Sequence, residues 1–202
     1  MRIIKLTNET KNKLMSDLLR RTTDDYGEQE DIVKEIIKNV HDNGDVALFD
    51  YTKRFDKADI SSVNIEVTDD EIKEAYSLVD EELIEVIRKA IKNISDFHKL
   101  QKKNSWIDTN SNGTILGQRV TPIESAGVYV PGGKAAYPST VLMNVIPAKV
   151  AGVERIIMTT PCNAEGKVYP TTLVAAKEAG VSDIYKVGGA QAIAALAYGT
   201  ES

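Results

Sequence analysis

The sequence predicts an α/β protein: a mostly helical region over residues 1–125, followed by a parallel α/β layer over residues 126–202. Three observations predict it. Apolar residues recur at helical spacing through the first hundred positions. The texture then changes around Trp106, where DTNSNGT is rich in turn formers and GQRVTPIESAGVYV after it is β-like. From Gly127 onward short apolar runs alternate with helical runs of about ten residues, which implies right-handed crossovers and a parallel sheet.

Taken in order, Ile32, Val33, Ile36, Ile37 and Val40 mark one face of a helix, and Gly44 supplies its stop. Val63 to Val67 (VNIEV) alternates apolar and polar residues, the pattern of a short strand. Thr68-Asp-Asp-Glu71 reads as a capping box that opens a second amphipathic helix. Leu83, Ile87, Ala90, Ile91, Ile94 and Phe97 line one face of a longer third helix, with Lys and Glu on its other side. A domain junction is expected within 105–125. Beyond it, strands are expected at 127–130, 154–159 and 183–187, separated by helices at Thr140–Val150 and Tyr169–Ala179, the latter closed by Gly180. A last helix spans the AQAIAALAYG run that begins at Ala190.

Composition narrows the function. With 42% hydrophobic residues, the 202-residue chain can bury a real core. Thirty acidic residues against 25 basic ones leave a net charge of −5, and there is no dense Lys/Arg stripe to neutralise a phosphate backbone. Nucleic acid is therefore not an expected partner. The N-terminus has no apolar signal region, and no run of about 18 apolar residues could span a bilayer, so a cytoplasmic location is expected. The single cysteine, Cys162, excludes an intramolecular disulfide and fits a reducing compartment.

Two expected strands end in paired glycines and then a helix, at Gly132-Gly133 and at Gly188-Gly189. Glycine there lets a ligand approach the backbone, and the helix N-terminus behind it favours an anion. Ligands of open α/β sheets sit beyond the carboxyl ends of the strands, where both pairs fall. The same glycines also suit tight turns with no ligand at all. Neither pair completes a nucleotide fingerprint: G-x-G-x-x-G is absent, and in the run from Gly127 to Ala135 Gly133 holds the place of the P-loop lysine. Spacing alone supports a ligand at the strand ends without naming it.

Tyr129, at the end of its strand, offers either rim packing or a ring to lay on a flat heterocycle. Gln191 is the one strongly polar residue in GGAQAIAALA, a hydrogen-bond partner for a ligand or for the helix terminus. Cys162 has no histidine near it in sequence, and a lone thiol of this kind is inert. His41 and His98 lack a second His or Cys at ligand spacing and read as solvated residues late in amphipathic helices. No metal site, Ser/His/Asp set or matched carboxylate pair is recognisable.

The stretches GVYVPGG (Gly127–Gly133), PSTVLMNVIPAKVAG (Pro138–Gly152) and VGGAQAIAALAYGTES (Val187–Ser202) resemble histidinol dehydrogenase. Weaker likeness runs through Gly44-Asp45, YTKRFD at 51–56 and NISDFH at 93–98, so that it covers nearly the whole chain. The resemblance implies a zinc-dependent, four-electron oxidation of L-histidinol to L-histidine through the aldehyde, with two NAD used in succession. It implies a homodimer of chains roughly twice this length, with two incomplete Rossmann-like domains similar in fold to aldehyde dehydrogenases. Tyr129 and Gln191 match the family's NAD contacts. The zinc ligands, the Glu-His pair that handles protons and a third NAD contact, an Asn, are expected beyond residue 202. Residues 1–125 then form an incomplete first domain and 126–202 a truncated second one, inactive by themselves. The competing reading is a small-molecule or nucleotide-binding module without catalysis.

Overall fold

The computed structural model describes residues 7–22, 27–132 and 135–202. Compactness divides the chain into two units, Met1–Ile36 and Ile37–Ser202. The first holds α1 (Asn8–Thr22) and the opening turns of α2 (Gly27–Phe55). Thr7 and Thr10 start α1 reciprocally: each backbone N–H donates to the other's hydroxyl, at 2.8 Å from Thr7 and 3.2 Å from Thr10. Within α2, Gly44 (φ 52°, ψ −132°) leaves the helical region, so the expected stop is present, but a second helical stretch resumes directly after it. Ile36 and Val40 of the expected apolar face are buried, whereas Ile32 and Val33 are exposed.

In the second unit, α3 (Asp69–Leu78) begins at the expected capping box. The Thr68 hydroxyl accepts from the Glu71 N–H at 3.3 Å, and the Glu71 carboxylate accepts from the Thr68 N–H at 2.9 Å. The third amphipathic segment is α4 (Glu81–Lys99). Its buried residues are Ile84 and Ile87, with Ala90, Ile91 and Ile94 packed beside them, while Leu83 and Phe97 stay exposed. The 84/87/91/94 spacing is the tighter helical stripe, and the sequence reading placed its centre about one position off. Correction is also needed at 63–67. Ser61–Asn64 turns, because the Asn64 side chain accepts from the Ser61 N–H at 2.7 Å, and only an isolated antiparallel bridge, Glu66 to Tyr185, remains of the expected strand.

The turn-rich stretch forms a hairpin of β1 (Trp106–Thr109) and β2 (Ile115–Gln118), exposed along both strands. Beyond it β3 (Ser125–Tyr129), β4 (Arg155–Thr159) and β5 (Asp183–Tyr185) form one parallel sheet in that order, with Tyr129, Thr159 and Tyr185 in register at its carboxyl end. The expected strands are thus side by side and parallel. The last ends at 185 rather than 187, and on its other edge the Lys186 N–H donates to the Ile65 carbonyl at 2.8 Å.

Between the strands run α5 (Pro138–Ala151) and α6 (Pro170–Ala179), each with Pro in its first turn and a left-handed glycine, Gly152 or Gly180, at its end. They pack on each other, and α3 and α4 pack on them, which buries Leu142, Val145, Ile156, Met158, Leu173 and Val174. The third crossover helix, α7 (Gly189–Tyr198), covers the other side: Leu196 lies against Gly127 of β3, and α7 residues face Ile157, Thr159 and Val187. Across the helical layer, Arg88 of α4 holds both oxygens of Glu178 on α6 at 2.9 Å, and the Tyr76 hydroxyl of α3 donates to the same carboxylate at 2.7 Å.

Two outcomes follow from this packing. Thr68→Ala removes a helix cap and is expected to cost about 1 kcal/mol, seen as a fall of roughly 2–4 °C in Tm, whereas Thr68→Ser keeps the acceptor and leaves Tm unchanged. Arg88 holds the Glu178 carboxyl below the usual glutamate range despite partial burial. Its stabilising effect is therefore complete above the unfolded value, about 4.3, and is lost as pH falls through the lower folded value. Glu178→Gln should melt lower than the parent at pH 7, and the gap should close on acidification; a constant gap from pH 7 to pH 3 would contradict the assignment.

Candidate functional site at the carboxyl ends of the strands

Strand and helix geometry bring together the two residues singled out from the sequence. Tyr129 is the last residue of β3, and Gln191 is the third of α7, reached through an extended Gly188 and a Gly189 at φ 67°. The Gly189 N–H donates to the Tyr129 hydroxyl at 3.3 Å. The Gln191 side chain folds back over the same glycine, its Oε1 2.6 Å from where a Cβ at Gly189 would stand. Only glycine meets both demands, the left-handed backbone and the missing side chain.

Gln191 is 1% exposed, yet neither its Oε1 nor its Nε2 has a hydrogen-bond partner. Leaving a buried amide unpaired costs about 1–3 kcal/mol, a cost that an added group with a donor and an acceptor would relieve. Thr159, in register between Tyr129 and Tyr185, is likewise buried with an unpartnered hydroxyl. The sequence reading did not single it out; alternation from Ile157 would have placed it on the α7 face.

The glycines of the two pairs differ in what they pack against. A Cβ on Gly132 would stand 2.9 Å from Pro161, and one on Gly188 would stand 2.7 Å from it. These two glycines let both turns close on the Pro161 ring, a packing role. Gly189 is the one that faces Tyr129 and Gln191. Gly133 lies outside the described residues.

A cavity of about 250 Å³ lies beneath α7, lined by Leu48, Ile157, Thr159, Val187, Ala192 and Thr200 among others. Tyr129 is half-buried at the sheet's end, and neither it nor Gln191 lines that cavity. Cys162 is buried, and its thiol is pushed up to about 11 by that burial, which leaves it protonated and unreactive at neutral pH. Beside it, Lys186 makes a 2.6 Å ion pair with Glu71 from a side chain only 6% exposed. That pair was not legible in the sequence, because its members are 115 residues apart.

The histidines stay apart from all of this. His41 Nδ1 lies 2.9 Å from its neighbour Asp42, and His98 Nδ1 lies 2.7 Å from Gln101. Among the described residues no three His, Cys, Asp or Glu side chains converge to hold a metal ion. They do not fit a zinc ion.

Comparison with known proteins follows the same lines. The family profile described as histidinol dehydrogenase matches residues 19–202. The chain is 57% identical over 185 residues to histidinol dehydrogenase of Geobacillus kaustophilus, spanning 91% of this chain and 43% of that one. It is 50% identical over all 202 residues to the Clostridium acetobutylicum enzyme, of which it spans 46%. The crystal structure of histidinol dehydrogenase from Elizabethkingia anophelis superposes with a TM-score of 0.80 at 42% identity, over 85% of this chain and 39% of that one. The chain spans less than half the length of these relatives. A match across nearly its whole length in sequence, and across most of it in fold, shows that the chain belongs to the histidinol dehydrogenase family.

Proposed function

We propose that these residues form the dinucleotide-binding part of an NAD-dependent enzyme that oxidises L-histidinol to L-histidine, through the aldehyde, in histidine biosynthesis. The observation that carries the NAD site is the orphaned Gln191 amide, buried beside Gly189 and the Tyr129 hydroxyl at the carboxyl ends of a parallel sheet. Such an amide offers one donor group and one acceptor to a ligand that has both. The Tyr129 ring edges the site and can lie against a planar heterocycle. The α7 N-terminus supplies backbone N–H groups and the positive end of a helix dipole for a pyrophosphate.

Topology supports the same placement. With α5 and α6 on one face and α7 on the other, a strand following α7 would lie beside β3. The winding then reverses at Tyr129, which is the ligand position of doubly wound, Rossmann-like sheets. Bound NAD supplies the hydride acceptor; the residues described here bind and orient it. In this reading the zinc ligands and the Glu-His pair belong to chain beyond residue 202, residues 1–125 are an incomplete first domain and 126–202 a truncated second, and the working enzyme is a cytoplasmic homodimer.

Tyr129→Ala and Gln191→Ala should each raise the KM for NAD about tenfold, the loss of one hydrogen bond or stacking contact, with the KM for histidinol unmoved. Gln191→Met replaces the orphaned amide with an apolar side chain of similar size. It should raise the Tm of the ligand-free protein by roughly 2–4 °C while weakening NAD binding, a divergence that a purely structural glutamine would not show. The 202 residues alone should give no NADH from histidinol and NAD and retain no zinc after dialysis; steady turnover, or one equivalent of zinc retained, would refute the placement of the catalytic groups.

A further inference from the structure

Helix α7 is anchored at its two ends. Beneath it lies the 250 Å³ cavity, so its seating on the sheet is loose between them. At its N-terminus the anchor is the Gly189 to Tyr129 hydrogen bond. At its C-terminus the chain passes Gly199 and lays Glu201 and Ser202 on the kink of α2.

There the Glu201 Oε2 accepts from the Asp45 N–H at 2.8 Å, and the Ser202 hydroxyl donates to the Asp45 Oδ1 at 2.9 Å. The His41 ring meets Tyr198 edge-on, 4.8 Å between centroids. Gly44 makes this possible in two ways. Its φ of 52° and ψ of −132° break the helix, which frees the Asp45 N–H as a first-turn donor with no partner four residues back. Its missing side chain leaves the space the carboxylate fills, for a Cβ there would stand 2.6 Å from Glu201 Oε1. A carboxylate at a helix N-terminus is also favoured by the helix dipole, and the Asp45 N–H holds the Glu201 carboxyl below its usual range. The Gly44-Asp45 and GTES motifs are 156 residues apart in this contact, and each explains the other.

We propose that Glu201 is a positioning residue: by capping the helix that starts at Asp45 it fixes the C-terminal end of α7, and through α7 it holds Gly189 and Gln191 at the dinucleotide site. The inference rests on the NAD reading given above. It is tested in the longest polypeptide the gene encodes, by steady-state kinetics with NAD and by hydrogen exchange at the Asp45 amide. Glu201→Ala should raise the KM for NAD about fivefold or more with kcat within about twofold, as expected when binding groups are displaced without touching the reacting atoms, and should unprotect the Asp45 amide. Glu201→Gln keeps an acceptor oxygen and should restore both readings. Gly44→Ala, which pushes the carboxylate away, should raise the same KM, and Glu201→Ala should add little to it. Gly44→Ala by itself, read by the KM for NAD and by exchange at the Asp45 amide, carries the test if Glu201→Ala does not fold. If Glu201→Ala leaves the KM for NAD unchanged while Gln191→Ala raises it, the inference falls and the NAD site stands. If Tyr129→Ala and Gln191→Ala also leave it unchanged, the NAD site itself falls.

Discussion

The close approach of three turns around Pro161 governs the functional end of this molecule. Its ring fills the spaces left by the absent side chains of Gly132 and Gly188, so the β3–α5 and β5–α7 turns converge on the turn that follows β4. A methyl group at either glycine would stand inside van der Waals distance of the ring. With that contact made, Tyr129 and Thr159 sit side by side in register and the Gly189 N–H reaches the Tyr129 hydroxyl. Everything offered to a ligand at this end depends on it.

The site is assembled with polar groups unpaired. Most buried polar atoms in folded proteins are hydrogen-bonded, yet the Gln191 amide and the Thr159 hydroxyl are not, and both stand at the sheet's carboxyl end. Elsewhere Lys186 is paired with Glu71, and Glu178 with both Arg88 and Tyr76, whereas one carboxylate oxygen of Asp56 is also buried without a partner. These pairs join α3 to the residue after β5 and tie α3, α4 and α6 to one another.

Chemistry and support are divided along the chain. The residues facing the proposed dinucleotide come from the end of β3 and the first turn of α7, while the helical segments between Asp45 and Lys99 supply the support around them. Asp45 and Glu71 reach the second half of the chain from these segments, one at each side: Asp45 binds the segment after α7, and Glu71 binds the residue before the Gly188 turn.

Short-range signals were readable in the sequence because their physics is contained within a few residues. The Thr68–Glu71 capping box, the left-handed closures at Gly152 and Gly180, the break at Gly44 and the three parallel strands all depend on local backbone preference or on strand–helix alternation. Tyr129 and Gln191 stood out from their neighbours by residue type, and the resemblance gave them their proposed role. Tertiary structure decided what depends on partners distant in sequence. It turned the α4 stripe toward Ile84 rather than Leu83, reduced the expected 63–67 strand to a single bridge on β5, and paired Lys186 with Glu71 and Asp45 with Glu201. It also set Gly132 and Gly188 against Pro161, and Gly189 against Gln191 and the Tyr129 hydroxyl. The sequence alone determined the kinds of element and their order, because propensity and periodicity act over one or two turns. Which faces meet, and which polar groups go unpaired, was decided only when the chain closed on itself, because burial and hydrogen-bond satisfaction are properties of the whole packed core.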